Sequence, residues 1–308
     1  MAIDLNKYGN CTTDFTGSGQ TTCDLVQFGD LNGKVLFKKG YSKTIASDDF
    51  NLASWKLDVK GFNALPYLGI RDFTQDTPEN EKSSSSTGVQ SVIRDGKPQF
   101  SFMYEKGGCL QKSLANKARG SWDFGLVFEK GILMAQSADG TKIKGFNGGM
   151  LSVETMKLQQ GTDPQMTTSV IQLLDAEEFN TRFIFFPFTE IGDLKEVSGV
   201  VETVITVDPI AAGGDITFSV VTSCNADNNI LDLDAASKFV LLGTQASATT
   251  LGVPTYNATT NKYTITPSPA LVENDTVQIK LGDGTYDAVE DSLGTIFKGT
   301  SNSVTVSA

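Results

Sequence analysis

Short runs of alternating apolar and polar residues, broken by glycine-bearing turns, recur from Lys34 to Val306. A period of two puts successive side chains on opposite faces, so these runs predict half-buried strands, and their number restricts the chain to β architectures. In the first two thirds, the runs are Lys34–Lys38, Trp55–Val59, Val89–Arg94, Gln99–Tyr104, Phe124–Phe128, Gly131–Ala135, Thr141–Phe146, Ser169–Leu173 and Arg182–Phe186. Asp95-Gly96 and Asp139-Gly140 supply the positive φ angles of tight turns. They predict that Val89–Arg94 pairs with Gln99–Tyr104, and Gly131–Ala135 with Thr141–Phe146, as hairpins. One stretch, Leu110–Ala118, has the composition and the i, i+4 leucines of a helix, and Phe50–Trp55 fits a single helical turn.

The character of the chain changes between Gly192 and Ser198. Beyond it arginine vanishes, and Val/Thr/Ile alternation sets in at Val200–Val207, Ile216–Val221, Phe239–Leu242, Lys262–Thr266, Thr276–Leu281 and Ser303–Val306. Two domains follow: residues 1–196, a β-sandwich or barrel-like domain with about one helix, and residues 197–308, a sandwich of about seven strands. The Cys-Trp-Cys core of antibody domains is missing, because Cys224 is the sole cysteine there and no tryptophan follows Trp122.

Charge narrows the function. The net charge is −11; residues 197–308 carry 12 acidic residues against 4 lysines, and only four arginines occur in the chain, Arg71, Arg94, Arg119 and Arg182. Tight nucleic-acid binding needs clustered cations that displace counterions, so none is expected. No apolar run has the length of a membrane span. The start, Met1–Lys7, lacks the charged, apolar and small-residue succession of a secretory signal.

The chemistry available is sparse. There is no histidine, which excludes Ser-His-Asp and Cys-His catalysis and His-ligated metals. The cysteines Cys11, Cys23, Cys109 and Cys224 form no C-x-x-C pair; free thiols in a reducing cytoplasm are expected, although Cys11 and Cys23 are near enough in sequence to bridge. The acidic run Asp175, Glu177, Glu178 is the one candidate for carboxylate catalysis, but adjacent acids at a strand end read first as a solvated turn. Asp227, Asp232 and Asp234, and Asp283, Asp287, Glu290 and Asp291, are candidate calcium clusters without the spacing of an EF-hand; a solubilising acidic surface is the expectation. Gly17-Ser18-Gly19 and Gly148-Gly149 lack the strand–helix context of a phosphate loop. Trp55 and Trp122 are expected in cores rather than stacked on sugars. No catalytic, cofactor-binding or metal-binding residue is therefore assigned, and an enzyme is not expected. The segment Thr74–Gly88 is polar throughout with a serine run, and is expected to be a flexible protruding loop.

The run Tyr263–Leu271, then Asp275–Ile279, then Asp291-Ser292-Leu293-Gly294 resembles bacterial immunoglobulin-like domains. Such modules are appended to surface proteins and to phage tail and capsid proteins, and host-surface glycans are the partner the resemblance implies for this one. The arrangement of a β-domain with one helix and a long loop, followed by that module, resembles the tail tube proteins of long-tailed bacteriophages; this second likeness is architectural. It implies a virion structural protein, made in the host cytoplasm, that self-assembles into rings conducting DNA. A head decoration protein and a secreted adhesin or carbohydrate-binding module are the alternatives, with a histidine-free lyase or glycosidase behind them.

Overall fold

The computed structural model describes residues 28–84, 90–94, 96–105 and 107–308. They divide into two compact units: the first holds the residues up to Lys56 and Asn63–Val197, the second Leu57–Phe62 and Ser198–Ala308. The chain is mostly strand, and all-β describes it.

The first unit contains β1 (Leu31–Lys38), β2 (Ser42–Thr44), α1 (Leu52–Lys60), β3 (Ala64–Leu68), β4 (Asp72–Asp76), β5 (Glu81–Ser84), β6 (Gln90–Arg94), β7 (Gln99–Tyr104), α2 (Gly108–Lys117), β8 (Trp122–Phe128), β9 (Gly131–Gln136), β10 (Lys142–Lys144), β11 (Ser152–Val153), β12 (Thr167–Gln172), α3 (Ala176–Thr181), β13 (Phe183–Pro187) and α4 (Phe188–Ile191), with the end of α1 counted in the second unit. One sheet runs β2-β10-β9-β8-β1-β3, with β13 also on β9; a second runs β11-β12-β7-β4. Phe100 of β7 meets Phe124 of β8 at 5.4 Å between ring centroids, which joins the two sheets through an aromatic core extended by Phe146 and Phe179. On the other face of β1, Phe37 meets Trp55 of α1 at 6.3 Å. Central β1 is thus covered on both faces, and Gly33–Phe37 are all buried.

Trp55–Val59 lies in α1 instead of forming a strand. Its period-two reading fails because the buried positions are Trp55 and Val59, at i and i+4, while Leu57 is 45% exposed. The three-dimensional context selects the helical face over the alternation.

The hairpin centred on Asp95-Gly96 does not form as expected. β6 pairs with β5, with Glu81 opposite Arg94 and Ser84 opposite Gln90. β7 pairs with β4, with Asp72 opposite Met103 and Asp76 opposite Gln99, and with β12. Both ladders belong to one long excursion: the chain leaves along β4 and β5 and returns along β6 and β7. The expected loop Thr74–Gly88 is consequently strand at Asp72–Asp76 and again at Glu81–Ser84; its last residues, 85–88, lie outside the described residues. Backbone pairing supplies what the polar side chains do not, since the N–H and C=O groups that face the partner strand are satisfied regardless of side-chain hydropathy.

The second unit contains β14 (Val200–Val207), β15 (Ile216–Thr222), β16 (Asn225–Asn229), β17 (Phe239–Gly243), β18 (Thr250–Leu251), β19 (Thr255–Asn257), β20 (Lys262–Ile265), β21 (Pro267–Ser268), β22 (Thr276–Leu281), β23 (Val289–Glu290), β24 (Ile296–Lys298) and β25 (Val304–Thr305). One sheet runs β19-β20-β15-β14-β24-β23 and the other β17-β22-β25. With β16 also pairing β15, the larger sheet has seven strands and the smaller three, and together they form a β-sandwich. Alternate residues of both sheets, among them Ile205, Phe218, Val220, Tyr263, Leu241 and Ile279, share one core. Tyr263, whose ring meets Phe218 and Phe239, turns its hydroxyl to donate to the Ile230 carbonyl at 2.7 Å. That bond lets a large polar-tipped ring be buried without cost to the core.

Candidate functional site: a projecting β-arm

The acidic run at the start of α3 is bound into the fold. Asp175 caps the helix, its Oδ1 accepting from the Glu177 N–H at 3.0 Å, and its Oδ2 pairs with Arg182 at 2.9 Å. Glu178, 3% exposed, is ion-paired with Lys144 and accepts the Asn147 N–H at 2.7 Å. Glu178 thus ties α3 to β10 and the loop after it, while Asp175 spans the helix itself, capping its start through the Glu177 N–H and pairing with Arg182 at its end.

The calcium candidates do not converge. Asp234 pairs with Lys238, Glu290 with Lys60 and Asp287 with Lys280. Asp283 accepts the N–H groups of Thr285 and Tyr286, and Asp291 those of Leu293 and Thr295, as turn-forming side chains do. Among the described residues no group of three or more Asp, Glu, Cys or His side chains is placed to hold a metal ion. Trp55 is buried beneath Lys43, whose Nζ lies 5.0 Å from its ring, and the indole of Trp122 donates to the Lys117 carbonyl at 3.0 Å.

The thiols depart from expectation. Cys109, in the first turn of α2, and Cys224, between β15 and β16, are both disulfide-bonded, not free. Sequence spacing carries no information on which cysteines the fold brings together. Cys11, Cys23, Gly17, Ser18 and Gly19 lie outside the described residues.

What the first unit does present is the distal half of the long excursion. β4 is held in the second sheet, and Phe73 at its inner end meets Phe100 and Phe102. Beyond Asp76, β5 and β6 pair only with each other among the described residues, and residues 74–84 are all exposed. The two ladders are joined at a close crossing. The Gly96 N–H donates to Asn80 Oδ1 at 2.7 Å, and a Cβ on Gly96 would lie 1.7 Å from the Pro78 carbonyl oxygen. Only glycine permits that approach. Among the described residues the result is a β-arm with both edges open, whose outgoing stretch Thr77–Ser84 is polar and becomes strand at Glu81–Ser84. Sequence reading located the segment, yet missed its pairing because the Asp-Gly signal is local and the competing ladder is not.

One cluster had no sequence signal. Lys34, Tyr104, Thr167 and Ser169 are fully buried between the two sheets of the first unit. Lys34 Nζ lies 4.3 Å from the Phe102 ring centroid, and burial pushes its amine down to about 7. Burial also raises the Tyr104 phenol, whose hydroxyl donates to the Tyr67 carbonyl. Thr167 Oγ1 is buried without a partner. No protein-family model matches the chain, and no curated protein matches it in sequence.

Proposed function

We propose that the chain is a structural subunit of a bacteriophage virion, a tail tube protein whose first unit self-assembles into DNA-conducting rings and whose immunoglobulin-like unit is displayed outside. The observation that carries this reading is the arm. A two-stranded ladder with no covering layer is marginal alone in water, and its open edges are templates for a second chain. An arm of this kind is useful to a protein that meets copies of itself. The modest charge of residues 1–196, 24 acidic against 21 basic, suits a conduit that DNA passes without adhering. Disulfides at Cys109 and Cys224 suit a particle that persists outside the reducing cell.

Negative-stain microscopy of the purified chain tests the proposal. Hollow rings or tubes are the expected result. Monomers that bind preformed capsids would favour head decoration, and a chain that remains monomeric at every concentration and binds no virion component would overturn the virion reading. Limited trypsin digestion adds a second readout: free subunits should be cut near Lys82 and assembled ones spared, because contact with a neighbour would cover the exposed strand that carries it.

A further inference from the structure

We infer that Lys39 and Asn147 of the first unit become joined by an intramolecular isopeptide bond, which the chain forms itself with Asp123 as the proton acceptor. Lys39 directly follows β1, Asp123 lies on β8 opposite Phe37, and Asn147 lies between β10 and β11. The Lys39 amine donates to Asn147 Oδ1 at 2.5 Å, to Asp123 Oδ1 at 2.7 Å and to the Gly148 carbonyl at 2.9 Å. The amide carbon of Asn147 is one carbonyl bond of ~1.23 Å beyond its oxygen, and so at most about 3.7 Å from the amine. Attack proceeds from roughly 3–3.5 Å, which a small side-chain rotation reaches.

Each partner is held from behind. Asp123 Oδ2 accepts the Gly40 N–H at 2.9 Å, which leaves Oδ1 for the amine. The Asn147 backbone is fixed on both sides, its N–H donating to Glu178 Oε2 at 2.7 Å and its carbonyl accepting the Leu174 N–H at 2.8 Å. Bridges from Phe146 to Phe124 and from Gly148 to Leu173 pin the flanking residues. A Cβ on Gly148 would lie 2.2 Å from the Trp122 carbonyl oxygen, so the segment runs tight against β8. Amine attack on an amide is slow in water, but groups fixed in place reach effective concentrations on the order of 10⁵–10⁸ M. The Asp123 side chain is only 6% exposed, which shelters the proton acceptor, while Lys39 at 43% leaves the product a way out. In the reaction the Lys39 Nζ lone pair adds to Asn147 Cγ, and the Cγ–Nδ2 bond breaks. Lys39 enters as an ammonium group and loses two protons. Asp123 relays both to the departing nitrogen, which leaves as an ammonium ion. Nothing is oxidised or reduced, and no co-reactant is needed. The bond joins residues 108 apart in sequence, and a cross-link that closes so long a loop restricts the unfolded chain strongly.

Mass spectrometry of the full chain, with its disulfides reduced, is the test. Loss of ammonia should make the protein about 17 Da lighter than its sequence. A tryptic digest should contain the peptide Lys39–Lys43 joined to Gly145–Lys157. Lys39→Arg and Asn147→Ala should each abolish the joined peptide, restore the missing mass and lower the melting temperature. A succinimide at Asn147-Gly148 loses the same mass but leaves the two peptides separate; that result, or a chain of full mass, would overturn the bond. Asp123→Asn should form the joined peptide about a hundredfold more slowly, the loss expected on removing a general base. Formation at the wild-type rate would overturn the role of Asp123. Should any variant misfold, the wild-type digest, made on an unaltered chain, still decides whether the bond exists.

Discussion

Lys34 Nζ on β1 donates a 2.6 Å hydrogen bond to Ser169 Oγ on β12, bridging the two sheets of the first unit across 135 residues of sequence. Both residues are fully buried. The titratable neighbours of the cluster are the phenols Tyr104 on β7 and Tyr67 on β3. A carboxylate would hold the amine charged; burial alone favours the neutral form.

The pH dependence of stability follows. The unfolded lysine titrates near 10.5 and the folded one at about 7. Between those values the unfolded chain binds the additional proton, so stability rises with pH and is lost as pH falls toward 7. The Tyr104 phenol is raised in the fold, so above its unfolded value of 10.0 stability declines again. The melting temperature of the first unit should climb from neutral pH to about pH 9–10 and then fall. Lys34→Met should flatten the rising limb and gain a few kcal/mol, on the order of 2–4, at pH 7. Parallel pH curves for variant and wild type would show that Lys34 carries its charge inside the fold.

Gly96→Ala separates the arm from the core. A methyl group there collides with the Pro78 carbonyl, which lies outside both main sheets. Assembly should be lost and trypsin cutting at Lys82 accelerated, while the melt shifts by no more than about 0.5 kcal/mol. A large loss of core stability would mean that the arm's crossing is part of the folding unit.

Glu178→Gln tests whether the α3 acids are structural. Removing one charge leaves Lys144 beside a neutral amide, and the expected cost is about 1–3 kcal/mol in denaturant melts, moderated because Lys144 is partly exposed. Screens against polysaccharides, esters and peptides should return background for wild type and variant alike. Reproducible turnover that disappears with Glu178→Gln or Asp175→Asn would sink the structural role.

Alkylation with and without reduction checks the disulfides. Peptides containing Cys109 and Cys224 should be labelled only after a reductant is added. Labelling of both in unreduced, denatured protein would restore the free-thiol expectation.

Residues 198–308 should fold alone, since the sandwich has a core drawn from both its sheets. A cooperative calorimetric melt of that fragment is the expected outcome; a broad, non-cooperative one would mean that the core needs residues beyond the fragment.

Strand positions were legible in the sequence, because the period of two is a local property written in each segment. β7, β8, β9, β12, β14, β15 and β22 all fall where alternation or apolar runs put them, and α2 lies where its leucines and helix formers predict. Partner choice was not legible. Asp95-Gly96 argued for pairing β6 with β7, yet β7 is claimed by β4 and β12, and β6 follows β5 into the arm. Trp55–Val59 alternates like a strand, but burial of Trp55 and Val59 on one side makes it a helix. The same holds for Glu178, whose partners Lys144 and Asn147 are more than 30 residues away, and for Lys34, an ordinary surface residue by type. Local periodicity fixes what each segment can be. Which segments meet, and therefore which side chains lose their water, depends on long-range packing that no single stretch of sequence encodes.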